Sequence, residues 1–266
     1  MIIREFLCLH ESGTVIFHQK YQRSGDSKDI ILRSGLISAL YTFAKQVEHD
    51  AIDSIRMEKV TLLFKKGGEF LFVLFLESRV NPAWLRKDIA SIQNRFFDCY
   101  PEIQWHKQVV NLSMFESFRK EADRILLPLN KKLDIILFLI EEGLITEEDY
   151  MERDLLSLGS MVGARIIERK YDQFTYAMES GKEEVLTQVD NVLALFDGEH
   201  VERNEEGYFF TCSSCLLCGT SKSDCFYEGL LESILSALNL SFHFRMGSSA
   251  EKQVFNEREV KKHVYF

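Results

Sequence analysis

Proline is scarce, three in 266 residues, which excludes proline-rich linkers and favours compact elements with few rigid connections. Long apolar runs are also missing. The longest, Phe70 to Leu76 and Ile135 to Ile140, fall far short of the ~20 residues needed to cross a bilayer as a helix. Basic charge is in deficit: 32 Lys and Arg stand against 41 Asp and Glu, a net charge of -9. That balance argues against a broad basic face, so no nucleic-acid partner is expected. Signatures of catalysis are missing as well. The chain holds no G-x-S-x-G elbow, no G-x-x-x-x-G-K-S/T phosphate loop and no G-x-G-x-x-G after a strand, and its Ser and His residues are scattered. Met1 to Leu9 is apolar but carries Arg4 and Glu5 and lacks small residues at a cleavage site. No signal peptide is therefore expected, and the expected location is cytoplasmic.

What the chain does have is a normal apolar share, 46 %, with 21 phenylalanines, enough for a real core. Its length suits two ordinary domains or one large one. Cysteine is rare except in one place. Cys8 and Cys99 stand alone, while Cys212, Cys215, Cys218 and Cys225 crowd together with the spacing C-x2-C-x2-C-x6-C. Core packing does not call for such a cluster, whereas four thiolates aimed at one point are what a tetrahedral soft-metal site requires. Zinc is the first expectation, and because four thiolates close the coordination sphere the site would be structural. An iron–sulfur cluster is the alternative, although the ferredoxin spacing continues C-x3-C-Pro and Phe226 stands in place of the proline. A third reading has only two or three of the cysteines facing one another as reduced thiols in a tight hairpin. His200 and His243 are substitutes for one cysteine should the geometry fail.

Along the first half, Ile2 to Leu9 and Thr14 to Lys20 read as strands around the turn His10-Glu11-Ser12-Gly13. Leu36, Leu40, Phe43 and Val47 recur at helical spacing and predict an amphipathic helix of about four turns. Ile52 to Arg56, Val60 to Phe64 and Phe70 to Leu76 predict three more strands. A second helix follows with Leu85, Ile89, Ile92 and Phe96 on one face and Pro82 at its start, where a missing amide is harmless. A third, Ser113 to Leu127, is expected to end before Pro128. Gly67-Gly68-Glu69-Phe70 is similar to part of the diguanylate cyclase signature, but it lacks one acidic residue and sits in the wrong element order; it reads as a hairpin turn.

The order β-β-α-β-β-β-α-α describes a five-stranded antiparallel sheet with flanking helices. With the segments MIIREFLCLHESGTVIF and SGLISALYTFAKQV, residues 1–127 resemble the longin (profilin-like) domain. Roadblock domains are close relatives that open with a helix where this chain opens with a strand. The resemblance implies docking of small GTPases and trafficking partners rather than chemistry.

In the second half, Lys131 to Glu142 predicts a short helix closed by Gly143, and Thr146-Glu147-Glu148-Asp149 predicts a capped start. The helix that follows runs through Leu155, Leu158, Val162 and Ile166. Gly159 and Gly163 within it cost helix propensity and call for close approach of another backbone or of a ligand; both readings stand. Val185 to Phe196 predicts another helix, Glu199 to Thr211 a hairpin leading to Cys212, and Tyr227 to Leu238 a further helix. Ser241 to Met246 and Val260 to Phe266 read as closing strands. LGSMVGARIIER, LFDGEHVE, YFFTCSSCLLCG and DCFYEGLLESILSAL resemble the 4-vinyl-reductase domain, an α+β fold shared by one class of TRAPP tethering subunits. Cys225 and Gly229 match the family's Cys-x-x-x-Gly helix start, while its later acidic residue and cysteine pair have no counterpart here.

The expected fold class is thus α+β: a longin-like domain over 1–127 and a TRAPP/4-vinyl-reductase-like domain with the cysteine knuckle over 128–266. The two resemblances imply a non-catalytic scaffold or regulator that binds small Ras-like GTPases, with nucleotide exchange as its candidate activity. Homodimers and longin- or TRAPP-type subunits are further partners, with peripheral membrane association. The alternative function is a sensor holding a small hydrophobic ligand between the Gly159/Gly163 helix and the sheet of the second domain.

Overall fold

The computed structural model describes residues 1–22, 29–47, 51–101, 112–196, 201–204, 207–210, 225–238 and 253–254. The chain divides into two compact units, Met1–Asp134 and Ile135–Phe266.

The first unit is built on five strands: β1 (Ile3–His10), β2 (Val15–Lys20), β3 (Ser54–Arg56), β4 (Val60–Gly67) and β5 (Phe70–Glu77). All pair antiparallel in the order β2-β1-β5-β4-β3, so the five-stranded sheet with flanking helices stands as expected. The middle strand β5, FLFVLFLE, is buried along all but its last residue. Its unbroken apolar run follows from having both faces covered, since a half-exposed strand alternates. Gly67 pairs with Phe70 across the β4–β5 hairpin, leaving Gly68-Glu69 as a two-residue turn. Gly68 has φ +56°, which glycine adopts without strain.

The other face carries a ring cluster. Phe72 lies 5.4 Å from Phe96, and Phe96 lies 5.3 Å from Phe118 and 5.7 Å from Phe115. Phe96 belongs to α2 (Arg86–Cys99), reached through a 3-10 turn at Pro82–Leu85 in which Ala83 N–H donates to the Asn81 side chain. Phe118 opens α3 (Phe118–Glu141). The expected helix end before Pro128 is not found: α3 runs through Pro128 for 24 residues, merging two helices read separately. Pro128 is exposed while Leu126, Leu129 and Leu133 are buried. The carbonyl it deprives of a donor therefore faces water, and the buried stripe holds the helix together across the proline.

The opposite face of the sheet is covered by α1 (Asp29–Val47). Ile37 and Tyr41 pack on Leu7, Leu9, Leu62, Phe64, Leu71, Val73 and Phe75. This reverses the expected orientation. Leu36, Leu40, Phe43 and Val47, the stripe that the spacing picks out, are all exposed.

In the second unit, α4 (Glu147–Glu152) begins at a complete capping box: Asp149 N–H donates to the Thr146 hydroxyl at 3.0 Å, and Thr146 N–H to the Asp149 carboxylate at 2.9 Å. The single helix expected from Thr146 onward is broken at Arg153. Asp154 accepts from Ser157 N–H at 2.8 Å and so caps a new helix, α5 (Leu155–Arg169). Next come α6 (Tyr171–Ser180), which the sequence reading does not include, and α7 (Lys182–Ala194). The hairpin β6 (Val201–Asn204) and β7 (Gly207–Phe210) follows, then α8 (Phe226–Ala237) and β8 (Gln253–Val254), with β7 central among these three strands. The strands expected at Ser241–Met246 and Val260–Phe266 lie outside the described residues.

Candidate functional site

Four places carry the residues from which function can be argued. The first is a groove of about 700 Å³ in the first unit, where α1 passes the turns of the β1–β2 and β4–β5 hairpins. His10, Ser12, Tyr41, Lys45, Lys66 and Glu69 are among its lining residues. His10 Nδ1 lies 2.7 Å from Ser12 Oγ, and His10 Nε2 lies 3.8 Å from a Glu69 carboxylate oxygen. Serine, histidine and carboxylate in that order resemble a hydrolytic relay. The same Nδ1, however, also accepts the Ser12 backbone N–H at 3.1 Å, while Gly13 N–H donates to the His10 carbonyl. The imidazole is thus a staple of the turn Glu11-Ser12-Gly13. Lys66 and Glu11 pair at 3.2 Å across the groove. The sequence reading did not find this site, because its residues come from two turns and a helix.

The second is a buried carboxylate on the α1 face of the sheet. Glu5 is buried; its Oε2 lies 3.0 Å from His18 Nε2, and Arg33 Nη1 donates to its Oε1 at 3.2 Å. Burial alone would push the Glu5 carboxyl up, but the hydrogen bonds and charges of His18 and Arg33 outweigh it and hold the carboxyl below its ordinary value. The Arg33 guanidinium also lies 4.6 Å from the centre of the Phe75 ring. The one charged side chain between Ile30 and Ala44 is therefore drawn inward onto the sheet.

The third is the helix pair of the second unit. A Cβ at Gly159 would lie 1.9 Å from the Phe226 carbonyl oxygen, one at Gly163 2.7 Å from that of Leu230, and one at Gly229 2.0 Å from that of Leu156. The glycines read as a site of close approach therefore sit against the backbone of α8. Their missing side chains let two helices touch main chain to main chain. Tyr227 adds a buried hydrogen bond of 2.6 Å to the Phe196 carbonyl.

The fourth is the cysteine cluster. Cys212, Cys215 and Cys218 lie outside the described residues. Cys225 is buried and occupies the position just before α8, with Gly229 N–H donating to its carbonyl. His200 and His243 also lie outside the described residues. Among the described residues no group of three or more His, Cys, Asp or Glu side chains is arranged to hold a metal, and no helix is long and apolar enough to cross a membrane.

No protein-family model matches the chain, and no curated protein matches it. Among solved structures it is similar to a Roadblock/LC7 domain from Streptomyces avermitilis, at 12 % identity and a TM-score of 0.31, over 36 % of this chain and 88 % of that one. It is also similar to the gliding protein MglB from Thermus thermophilus, at 14 % identity and 0.29, over 34 % and 70 % of the two chains. A third likeness, at 12 % identity and 0.35, is to a chain in a homology model of the full-length AP-3 complex, over 46 % of this chain and 81 % of that one.

Proposed function

We propose that this chain is an interaction protein whose first unit is a longin-like platform for a small Ras-like GTPase. The observation that carries the reading is the topology of that unit: strand order β2-β1-β5-β4-β3 with one helix between β2 and β3 and two after β5. That order is the basis of the longin resemblance, which implies docking. Purified chain is to be tested against the Ras-like GTPases of its own genome by co-sedimentation and by release of a fluorescent guanine nucleotide. Saturable binding to at least one, with faster release if the chain is an exchange factor, is the expected result. Absence of binding to every GTPase tried would end the proposal.

The second unit is proposed to be a TRAPP/4-vinyl-reductase-like assembly module, supported by the placement of Cys225 and Gly229 at the start of α8 and by the tight α5–α8 pair. Cys212, Cys215, Cys218 and Cys225 are proposed as ligands of one structural zinc, supported by their spacing and by the position of Cys225. Elemental analysis of protein purified without chelator should give one zinc per chain and no visible colour. Iron with a brown colour would assign the cluster to redox chemistry instead, and a metal-free, fully folded chain would remove the site.

A further inference from the structure

The helix α1 carries two apolar faces. Inward, Ile37 and Tyr41 join the core. Outward, Ile31, Leu32, Leu36, Leu40, Phe43 and Val47 are 41 to 77 % exposed. Leu32, Leu36, Leu40, Phe43 and Val47 succeed one another by three or four residues, so they form one continuous stripe. A helix with two apolar faces belongs between two partners, and the sheet supplies only one of them.

We propose that the outward face of α1 is the interface through which two copies of this chain pair. Area is the first argument. The five side chains of the stripe leave on the order of 500 Å² open, in the upper part of the range for the largest apolar patch on a monomer. Two such faces together would remove about 1,000 Å² from water, the threshold of a specific interface, from this helix alone.

Charge is the second argument. Arg33, the one charged residue between Ile30 and Ala44, is turned inward onto Glu5 and Phe75. The stripe therefore has nothing with which to recognise a charged partner and nothing to repel an identical face, which suits an isologous contact about a two-fold axis. Shape is the third. Gly35 and Ala39 are exposed beside the large side chains, and a Cβ at Gly35 would meet nothing within 4 Å. The row of small residues leaves a furrow that the Leu and Phe ridge of a second copy can enter. The pairing does not rest on the GTPase reading, since none of the three arguments involves it.

The test is sedimentation velocity of the full chain at tens of micromolar, beside the double variant Leu36→Glu/Phe43→Glu and the control Leu127→Glu, which charges an exposed apolar residue on α3. Twice the chain mass is expected for wild type and control, and the single mass for the double variant, with unchanged far-UV circular dichroism. Should the double variant fold poorly, Ala39→Glu places one charge at the centre of the face without removing a side chain and should also give the single mass. Three results would overturn the proposal: a monomeric wild type, dimers that survive both α1 changes, or dissociation caused equally by the α3 control. A monomeric wild type whose GTPase binding is lost in the α1 variants would assign the face to that partner instead.

Discussion

Gly159 of α5 stands against Phe226 of α8 so closely that a Cβ on the glycine would lie 1.9 Å from the phenylalanine's carbonyl oxygen. One turn along, Gly229 of α8 stands in the same relation to the Leu156 carbonyl of α5, at 2.0 Å. Each helix thus supplies the glycine that the other's backbone requires.

Gly159→Ala and Gly229→Ala should each destabilise the chain by roughly 1–3 kcal/mol, because the overpacking penalty exceeds the ~1 kcal/mol gained in helix propensity. Separating the helices for one methyl also makes room for the other, so the double variant should lose less than the sum of the two. Urea denaturation of the three variants measures this. Additive losses, or a neutral single variant, would show that the helices do not meet here.

Glu5→Gln should cost roughly 2 kcal/mol, since it leaves Arg33 and His18 without their carboxylate; the partial exposure of Arg33 keeps the loss below that of a fully buried pair. The Glu5 carboxyl is lowered on folding from its ordinary value of 4.5. Its contribution is therefore fully present above that value and is lost as pH falls through the folded value. The stability gap between wild type and Glu5→Gln should hold down to the ordinary carboxylate value and narrow only below it. A gap independent of pH would contradict the pairing.

Asn130 of α3 accepts the buried Ile3 N–H at 2.6 Å and donates to the Ile3 carbonyl at 3.4 Å. Asn130→Leu leaves both backbone groups at the start of β1 without their partner and should cost about 1–3 kcal/mol. Hydrogen exchange adds a local readout: the Ile3 amide should lose protection before the amides of β5. Unchanged exchange at Ile3 would mean that the side chain does not hold the strand.

Thr146→Ala removes the hydroxyl that accepts Asp149 N–H and should cost about 1 kcal/mol. The Thr146 backbone N–H, with Arg153 beside it, holds the Asp149 carboxyl down at about 2. The cap is thus complete above the ordinary carboxylate value and opens as pH approaches 2. An Asp149 carboxyl that titrates near 4 by NMR would show that the box does not form.

Local chemistry was legible in the sequence. The β1–β2 and β4–β5 hairpins, the Pro82 start before α2, the Thr146 box and the Gly143 stop rest on side chains or backbone constraints acting within a few residues, and each is found where its residues stand. Where neighbours in space overrule neighbours in sequence, the reading failed. Pro128 signals a helix end, but the buried stripe Leu126, Leu129 and Leu133 carries α3 past it. A different miss was local: the helix read from Thr146 onward is broken because Asp154 caps a new start through Ser157 N–H three residues on, a signal that the spacing of apolar residues does not carry.

What the chain determined by itself is the strand–helix order of the first unit, the cysteine spacing and the presence of an apolar stripe at Leu36, Leu40, Phe43 and Val47. Which side of α1 faces the sheet was decided only by the fold. Periodicity counts apolar positions without knowing what lies opposite them, and a helix apolar on both sides offers two candidate faces. The complementary surface of Leu7, Val73 and Phe75 selects Ile37 and Tyr41 for the core and leaves the longer stripe outside. The glycines of α5 follow the same rule: their spacing announced a close approach, and only α8, more than sixty residues further on, identified what approaches.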